Sequence, residues 1–366
     1  VKRRLNFAIG IIISAIFIYL AFRRVSLGEI YYSLKHANYL LILPNMVLVI
    51  VTMVMRAERW RYLLEPVGKF KSKQLFPSVM IGFMANNLLP ARLGEVVRAY
   101  SFGAKSGRSR SSIFASIVLE RVFDSFALLA MFWLVILFIP FPPPVKKFGY
   151  ITLGINLILI TLLVFLKHKT ASLVKVARLA FFFLSTGMTL KLESIITKFA
   201  AGLDVVKKPG TLASITLWSV VLWVVTAVSN YFVFMAFGMY PNIAASFILL
   251  LFVAAGVMLP SAPGFVGVFQ AATIGAFALL NELNLLGNQM TWLKAKSVAL
   301  TAPAFAGSAV AALGPMADSM GLFGISKGEA LSFSIVLWLC QYLPVTFLGL
   351  YYLRREHFSL RTVEGR

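Results

Sequence analysis

The chain is short of nearly everything that soluble enzymes use. Of its 366 residues only 13 are Asp or Glu, three are His and one is Cys. A single Cys, Cys340, cannot close an intrachain disulfide, so the thiol content says nothing of an oxidising compartment. His36, His168 and His357 are too scattered to form a metal-ligand cluster. Asp124, Asp204 and Asp318 are the only Asp residues, which leaves no D-x-D metal pair, and there is neither a P-loop nor a nucleophile elbow. No metal or other cofactor is therefore expected. Acid–base chemistry would have to rest on Glu95, Glu120 or Asp124.

What fills the chain instead is apolar. Sixty per cent of residues are hydrophobic and 13% charged, whereas soluble domains average about half and about a quarter. The composition is that of a polytopic membrane protein. Lys and Arg number 35, a surplus that in a soluble chain would suggest nucleic acid. Here it sits mostly in short loops beside apolar spans, so the positive-inside rule accounts for it and no nucleic-acid partner is expected. The opening "VKRRLNFAIGIIISAIFIYLAFRR" has the basic start and apolar centre of a signal peptide but no small-x-small cleavage site. Residues 5–22 give about 18 apolar positions, near the ~20 that cross a bilayer, and read as a retained anchor helix.

Further spans are expected at residues 39–55, 113–139, 148–166, 211–237 and 330–353. Two more apolar regions, 75–100 and 243–280, are interrupted by polar or Pro/Gly motifs. Arg56, Arg59, Arg61, Lys69, Lys71 and Lys73 precede the first, while Arg98, Lys105, Arg108 and Arg110 follow it, so both its ends read as cytoplasmic. A segment that leaves and returns on one side is a re-entrant hairpin. Residues 167–208 hold eight Lys or Arg against Glu193 and Asp204, a cytoplasmic connection. Within it Leu192, Ile195, Ile196, Phe199, Leu203 and Val206 share one helical face, as in a helix lying on the membrane or packed on the bundle. The second broken region then enters from the external side. Arg23, Arg24 and Lys35, opposed only by Glu29, fall outside in this topology, where an interfacial helix would hold them at the headgroups. The expected architecture is all-α, multi-pass, about six full transmembrane helices plus two opposed re-entrant hairpins. Both termini lie in the cytoplasm of a protein integral to the cell membrane.

Three motifs carry chemistry. "NNLLPARLGEVVR" (86–98) reads as helix, break, helix. Pro90 removes an N–H and biases Leu89 away from helix, Asn86 and Asn87 can bond the loosened backbone, and Gly94 sits at the restart. Arg92, Glu95 and Arg98 recur every three residues along one side of the second half-helix, whose free N–H groups also favour anions. Two Arg against one Glu leave positive charge that suits a phosphate, since guanidinium bonds two oxygens at once. In "LERVFDSFALL", Glu120 and Asp124 share a face and Arg121 can reach Asp124; this is either an ion pair fixing helix register or a partner for Arg92, Arg98 or a substrate amine. In "LPSAPGFVGVFQAA" (259–272), Pro260 and Pro263 stop one helix, Gly264 and Gly267 start another, and Gln270 is the strongly polar side chain.

With these motifs in this order, the chain resembles the lysylphosphatidylglycerol synthase transmembrane family, the flippase-like domain proteins. "NNLLPARLGEVVRAY", "ERVFD" and "LPSAPGFVGVFQAA" carry the resemblance over most of residues 1–280, and it resumes at about 322–355. It implies a single flippase-like membrane domain over residues 1–366 and lipid translocation. Asn87, Pro90, Arg92, Gly94, Glu95, Arg98, Glu120, Arg121, Asp124, Pro263, Gly264 and Gly267 fall on motif positions. The chain departs from the family at Gln270, where an acidic residue is common, and at residues 281–321, an unaligned insertion to which no role is assigned.

The function these readings favour is transport, without catalysis, of a phosphate-bearing phospholipid or lipid-linked phosphate between leaflets. Its headgroup would pass through a polar groove between the hairpins and the 113–139 span, downhill or coupled to an ion gradient. Asn86, Asn87, Arg92, Glu95, Arg98, Glu120, Arg121, Asp124 and Gln270 are the expected substrate contacts. Two alternatives stand beside it. One is a lipid-modifying transferase; against that of the synthase type, no soluble aminoacyl-transfer domain is read in these 366 residues. The other is a non-catalytic membrane partner of a synthase or glycosyltransferase, docked through residues 167–208. A homo-oligomer fits any of these.

Overall fold

The computed structural model describes Tyr19, Lys175 and residues 27–89, 92–139, 143–170, 186–203, 209–258, 261–283, 285–286 and 325–356. Among them are eleven α-helices and no strand: α1 (Leu27–His36), α2 (Ile42–Leu63), α3 (Ser72–Leu88), α4 (Gly94–Ser106), α5 (Arg110–Phe138), α6 (Pro143–His168), α7 (Thr186–Gly202), α8 (Pro209–Ala236), α9 (Ala244–Val257), α10 (Val268–Glu282) and α11 (Lys327–Arg355). The expected anchor at 5–22 apart from Tyr19, together with Arg23, Arg24, Pro90, Pro260 and nearly all of 281–321, lies outside the described residues.

Among the described residues, six stretches are long and apolar enough to cross a membrane. Five match the expected spans. The sixth, Pro263–Glu282, belongs to the second broken region. Length separates through-going helices from hairpin arms. α5 and α11 have 29 residues each, and at 1.5 Å per residue each reaches about 43 Å. α3, α4, α9 and α10 have 17, 13, 14 and 15 residues, about 20 to 25 Å, short of the ~30 Å hydrocarbon core.

The long helix α11 shows how the hairpins are set. α3 runs along its C-terminal half: Phe76 meets Tyr352 edge-on at 5.6 Å, Met80 and Met84 close on Gly349, and Asn87 reaches Tyr342 and Thr346. α10 runs along its N-terminal half, with the Phe277 ring 4.9 Å from that of Phe333. The hairpins α3–α4 and α9–α10 thus approach from opposite ends of α11, and their tips meet beside its middle, at Trp338 and Tyr342. Basic residues collect at the end where α3 starts and α11 finishes: Lys71, Lys73, Lys105, Arg108, Arg110, Arg354 and Arg355.

Two apolar cores flank this meeting point. One, around Phe234, Phe277 and Phe333, joins α8 to α11; the other, around Trp60, Phe102 and Leu75, joins α2 to α5 at the basic end. α2 and α8 lie antiparallel, tied by Asn45 Nδ2 donating to the Ser229 carbonyl at 2.7 Å and by Thr211 donating to Glu65 at 2.9 Å. α6 is loosely held and exposes Ile151, Ile155, Ile158 and Leu162, an apolar face suited to lipid. Of the two readings of the amphipathic connection, α7 follows the second: Ala200 and Leu203 are buried against the bundle, Ser112 donates to the Lys198 carbonyl, and Ile195 stays exposed. The helix expected near Lys35 is α1, lying against the start of α11 with Glu29 at Gly328.

Candidate functional site

The first break is closed by its own side chains. Asn86 Oδ1 accepts the Gly94 N–H at 2.8 Å, satisfying one of the donors exposed where α4 restarts. Asn87 turns away from the break and donates to Thr346 Oγ1 of α11 at 2.9 Å. Gly94 works by close approach rather than by backbone freedom: a Cβ there would meet the Gly82 carbonyl and Asn86. The unusual backbone falls on Arg92, with φ of 53°, in the left-handed region that side chains disfavour. Arg92 therefore precedes the helix, and the three-residue spacing from Arg92 to Glu95 and Arg98 does not place all three along one helix side. Its guanidinium crosses instead to the other hairpin, giving Nη2 to the Val257 carbonyl at 2.5 Å and lying 5.7 Å from the Phe265 ring.

The second break mirrors the first. Pro263 opens a single 3-10 turn, Gly264 and Gly267 take φ of 73° and 86°, and Phe265 takes 59°. Arg92 and Phe265 are the two non-glycine residues with positive φ among those described, and they touch. Each such residue stores roughly 1 kcal/mol or more of strain, of the kind that gathers at working sites. Trp338 Nε1 donates to the Gly264 carbonyl at 2.7 Å, pinning this tip to α11. Gln270 is buried, and its Oε1 accepts the Gly267 N–H at 2.7 Å, capping α10.

Beneath the first tip lies a dense ionic cluster. Arg59, fully buried, bridges Glu120 at 3.2 Å and Asp124 at 2.6 Å; Arg98, also buried, pairs with Glu120 at 2.9 Å and lies 3.8 Å over the Trp60 ring. Arg121 joins Glu95 at 2.8 Å to Asp124 at 3.4 Å. Arg56 is held between the Phe83 and Trp223 rings at 5.0 and 5.3 Å, with Asp124 3.6 Å away. With Arg92 the cluster has five guanidiniums against three carboxylates. Ions at this depth survive only when paired, and here positive charge is left over.

A cavity of about 500 Å³ opens between the two tips, α2, α5, α8 and α11, within the size range of ligand sites. Arg56, Arg92, Arg121, Glu95 and Asp124 form its charged wall, Thr226, Ser229, Asn230 and Gln341 a neutral polar wall, and Phe83, Trp223, Phe265, Phe269, Trp338 and Tyr342 its aromatic lining.

The expected site residues divide on this geometry. Asn86, Asn87, Arg92, Glu95, Arg121, Asp124 and Gly264 line the cavity. Arg98 and Glu120 do not; they pair behind it and hold α4 to α5, because two opposite charges buried together satisfy each other. Gln270 does not either, being spent on its own helix cap. Arg56, Arg59, Trp223 and Trp338 escaped sequence reasoning, since Arg56 and Arg59 read as loop charge closing the 39–55 span. The overlooked signal is periodicity: Arg56, Arg59, Trp60 and Leu63 continue one face of α2 inward while Glu58 and Arg61 pair on the other.

The chain matches the family described as the lysylphosphatidylglycerol synthase TM region over residues 7–283. The match ends just inside the stretch left unaligned above, and α11 lies beyond it. A UPF0104 membrane protein of Methanocaldococcus jannaschii is 26% identical over 207 residues, 54% of this chain and 80% of that protein. Another, of Methanothermobacter thermautotrophicus, is 35% identical over 105 residues, 27% of this chain and 30% of that one. The glycosyltransferase AglD of Haloferax volcanii is 30% identical over 125 residues, 34% of this chain and 20% of AglD. No solved structure matches.

Proposed function

The chain belongs to the lysylphosphatidylglycerol synthase TM-region family, and from that premise we propose that it moves a phosphate-bearing lipid between leaflets. The observation that carries the reading is the cavity where the two opposed hairpin tips meet, with Arg56, Arg92 and Arg121 on its wall. The headgroup phosphate sits against these guanidiniums while the acyl or prenyl tails remain in the bilayer beside apolar helix faces such as that of α6. Broken helices meeting at mid-depth are a recurring design for alternating access. The strained Arg92 and Phe265, in contact across the tips, are the pair whose separation would open the site to one end.

A transferase reading needs a general base. Glu95 and Asp124, the acidic residues among the described cavity lining, are both ion-paired, which weighs against it. The similarity to AglD favours a second reading, a membrane portion that serves a glycosyltransferase without moving lipid itself. One experiment separates the two: purified chain in vesicles carrying a tail-labelled anionic phospholipid, with a membrane-impermeant quencher outside. Transport makes the inner-leaflet label accessible, and Arg92→Ala, folded by size-exclusion profile, slows this about tenfold or more, the loss of one charge-assisted phosphate contact. Label that stays protected, or an Arg92→Ala rate equal to wild type, overturns the proposal.

A further inference from the structure

We infer that the cavity, with Arg56 and Arg92 both on its wall, selects a phosphate ester whose headgroup is otherwise uncharged and hydroxyl-bearing, and that amine-bearing headgroups are selected against. The inference rests on the lipid-moving reading above and names its substrate class.

Arg56 is the first support. It is 6% exposed and lines the cavity, yet its Nε and Nη1 have no hydrogen-bond partner, and Asp124 at 3.6 Å is beyond hydrogen-bond reach. A buried guanidinium with unused donors is costly unless an acceptor arrives. The flanking Phe83 and Trp223 rings hold its plane, so the donors are fixed before a guest enters. Arg92, at the tip, has no carboxylate within ion-pair distance among the described residues.

The carboxylates are the second support. Asp124 Oδ1 accepts from Arg59 at 2.6 Å and from Trp223 Nε1 at 3.1 Å, while Oδ2 faces Arg121 and Arg56. Glu95 Oε1 pairs with Arg121 at 2.8 Å and accepts from Asn86 Nδ2 at 3.4 Å. An incoming ammonium would have to share these carboxylates with guanidiniums already paired to them and sit in net positive surroundings, which disfavours it.

The neutral part of the lining is the third support. Asn230, Gln341, Thr226 and Ser229 carry no charge, and Gln341 Nε2 donates to Asn230 Oδ1 at 3.3 Å. Beside them Trp338 and Tyr342 stack at 4.5 Å. The Thr226 and Ser229 hydroxyls donate to the Leu222 and Thr226 carbonyls and so offer acceptor lone pairs, while the two amides carry both donors and acceptors; next to an aromatic face this set suits the hydroxyls and C–H faces of a glycerol or sugar.

The test is binding of tail-labelled lipids to the full chain in detergent, with four arms: phosphatidylglycerol, a monoglycosyl phosphoprenol, phosphatidylethanolamine and aminoacyl-phosphatidylglycerol. At least one of the first two binds about tenfold or more tighter than either amine, and which one does identifies the source of the phosphate ester. Arg56→Gln weakens that binding about tenfold and stays folded, because Asp124 keeps Arg59, Arg121 and Trp223 as partners. Gln341→Glu, which puts a carboxylate on the neutral wall, shifts preference toward phosphatidylethanolamine severalfold. Equal affinity across the four arms, tighter binding of either amine, no binding at all, or an Arg56→Gln variant matching wild type overturns the inference. The same lipids in vesicles keep the two readings apart. Selective binding with no translocation sinks the transport reading alone, whereas translocation indifferent to headgroup sinks the selectivity alone.

Discussion

Among single residues, similar chemistry serves different ends according to what faces it. Arg98 and Arg92 stand six positions apart, yet Arg98 is 1% exposed against Glu120 while Arg92 faces a cavity. Arg98→Ala would leave Glu120 with Arg59 alone, and losing one partner of a buried pair typically removes about 3–5 kcal/mol. That variant is expected to unfold at markedly lower temperature in detergent, whereas Arg92→Ala, which gives up one hydrogen bond to the Val257 carbonyl and strands no carboxylate, is expected to lose far less. Thermal melts of the two side by side check the assignment; a stable Arg98→Ala would show that the pair holds nothing together. Both arginines were visible in the sequence as charges in an apolar region. Their separation into structural and cavity-facing roles was not, since it depends on α5 supplying Glu120 to one and the second hairpin supplying Val257 to the other.

For the helices, the hairpins depend on how closely their arms approach. Gly82 and Gly94 let α3 and α4 touch backbone to backbone, where a Cβ on Gly94 would collide with the Gly82 carbonyl and Asn86. Gly107, which ends α4 with φ of 65°, has open space around it. Gly94→Ala is therefore expected to be far more damaging than Gly107→Ala, whose left-handed strain costs about 1 kcal/mol. Comparing the yields and melting temperatures of the two variants tests this; equal effects would mean that the arms do not pack as described. The existence of both breaks could be read from Pro, Gly and Asn in otherwise apolar runs, because lipid offers no partner to freed backbone. The left-handed residues that are not glycine, Arg92 and Phe265, could not, since local preference argues against both and only the packed tips impose them.

For the whole molecule, the distribution of basic residues predicts a sidedness that can be measured. Lys71 and Lys147 are exposed at opposite ends of the bundle. Cys340 is buried, so the wild-type background should label weakly. In intact cells Lys147→Cys is expected to react with an impermeant maleimide and Lys71→Cys only after lysis; the reverse pattern would invert the topology. Composition and hydrophobic run length determined by themselves that this is an all-α, multi-pass membrane chain with two interrupted regions, because twenty-residue apolar runs and stray polar motifs have few other physical readings. The resemblance carried by three motifs determined the family. Only the tertiary structure decided that the two breaks meet beside Trp338 and Tyr342, that Arg56 and Arg59 turn inward from the end of α2, and that Arg98, Glu120 and Gln270 are withdrawn from the cavity. Each of those outcomes is a choice of partner between helices far apart in the chain, and charge pairing at depth is governed by the nearest opposite charge in space, on which sequence spacing is silent.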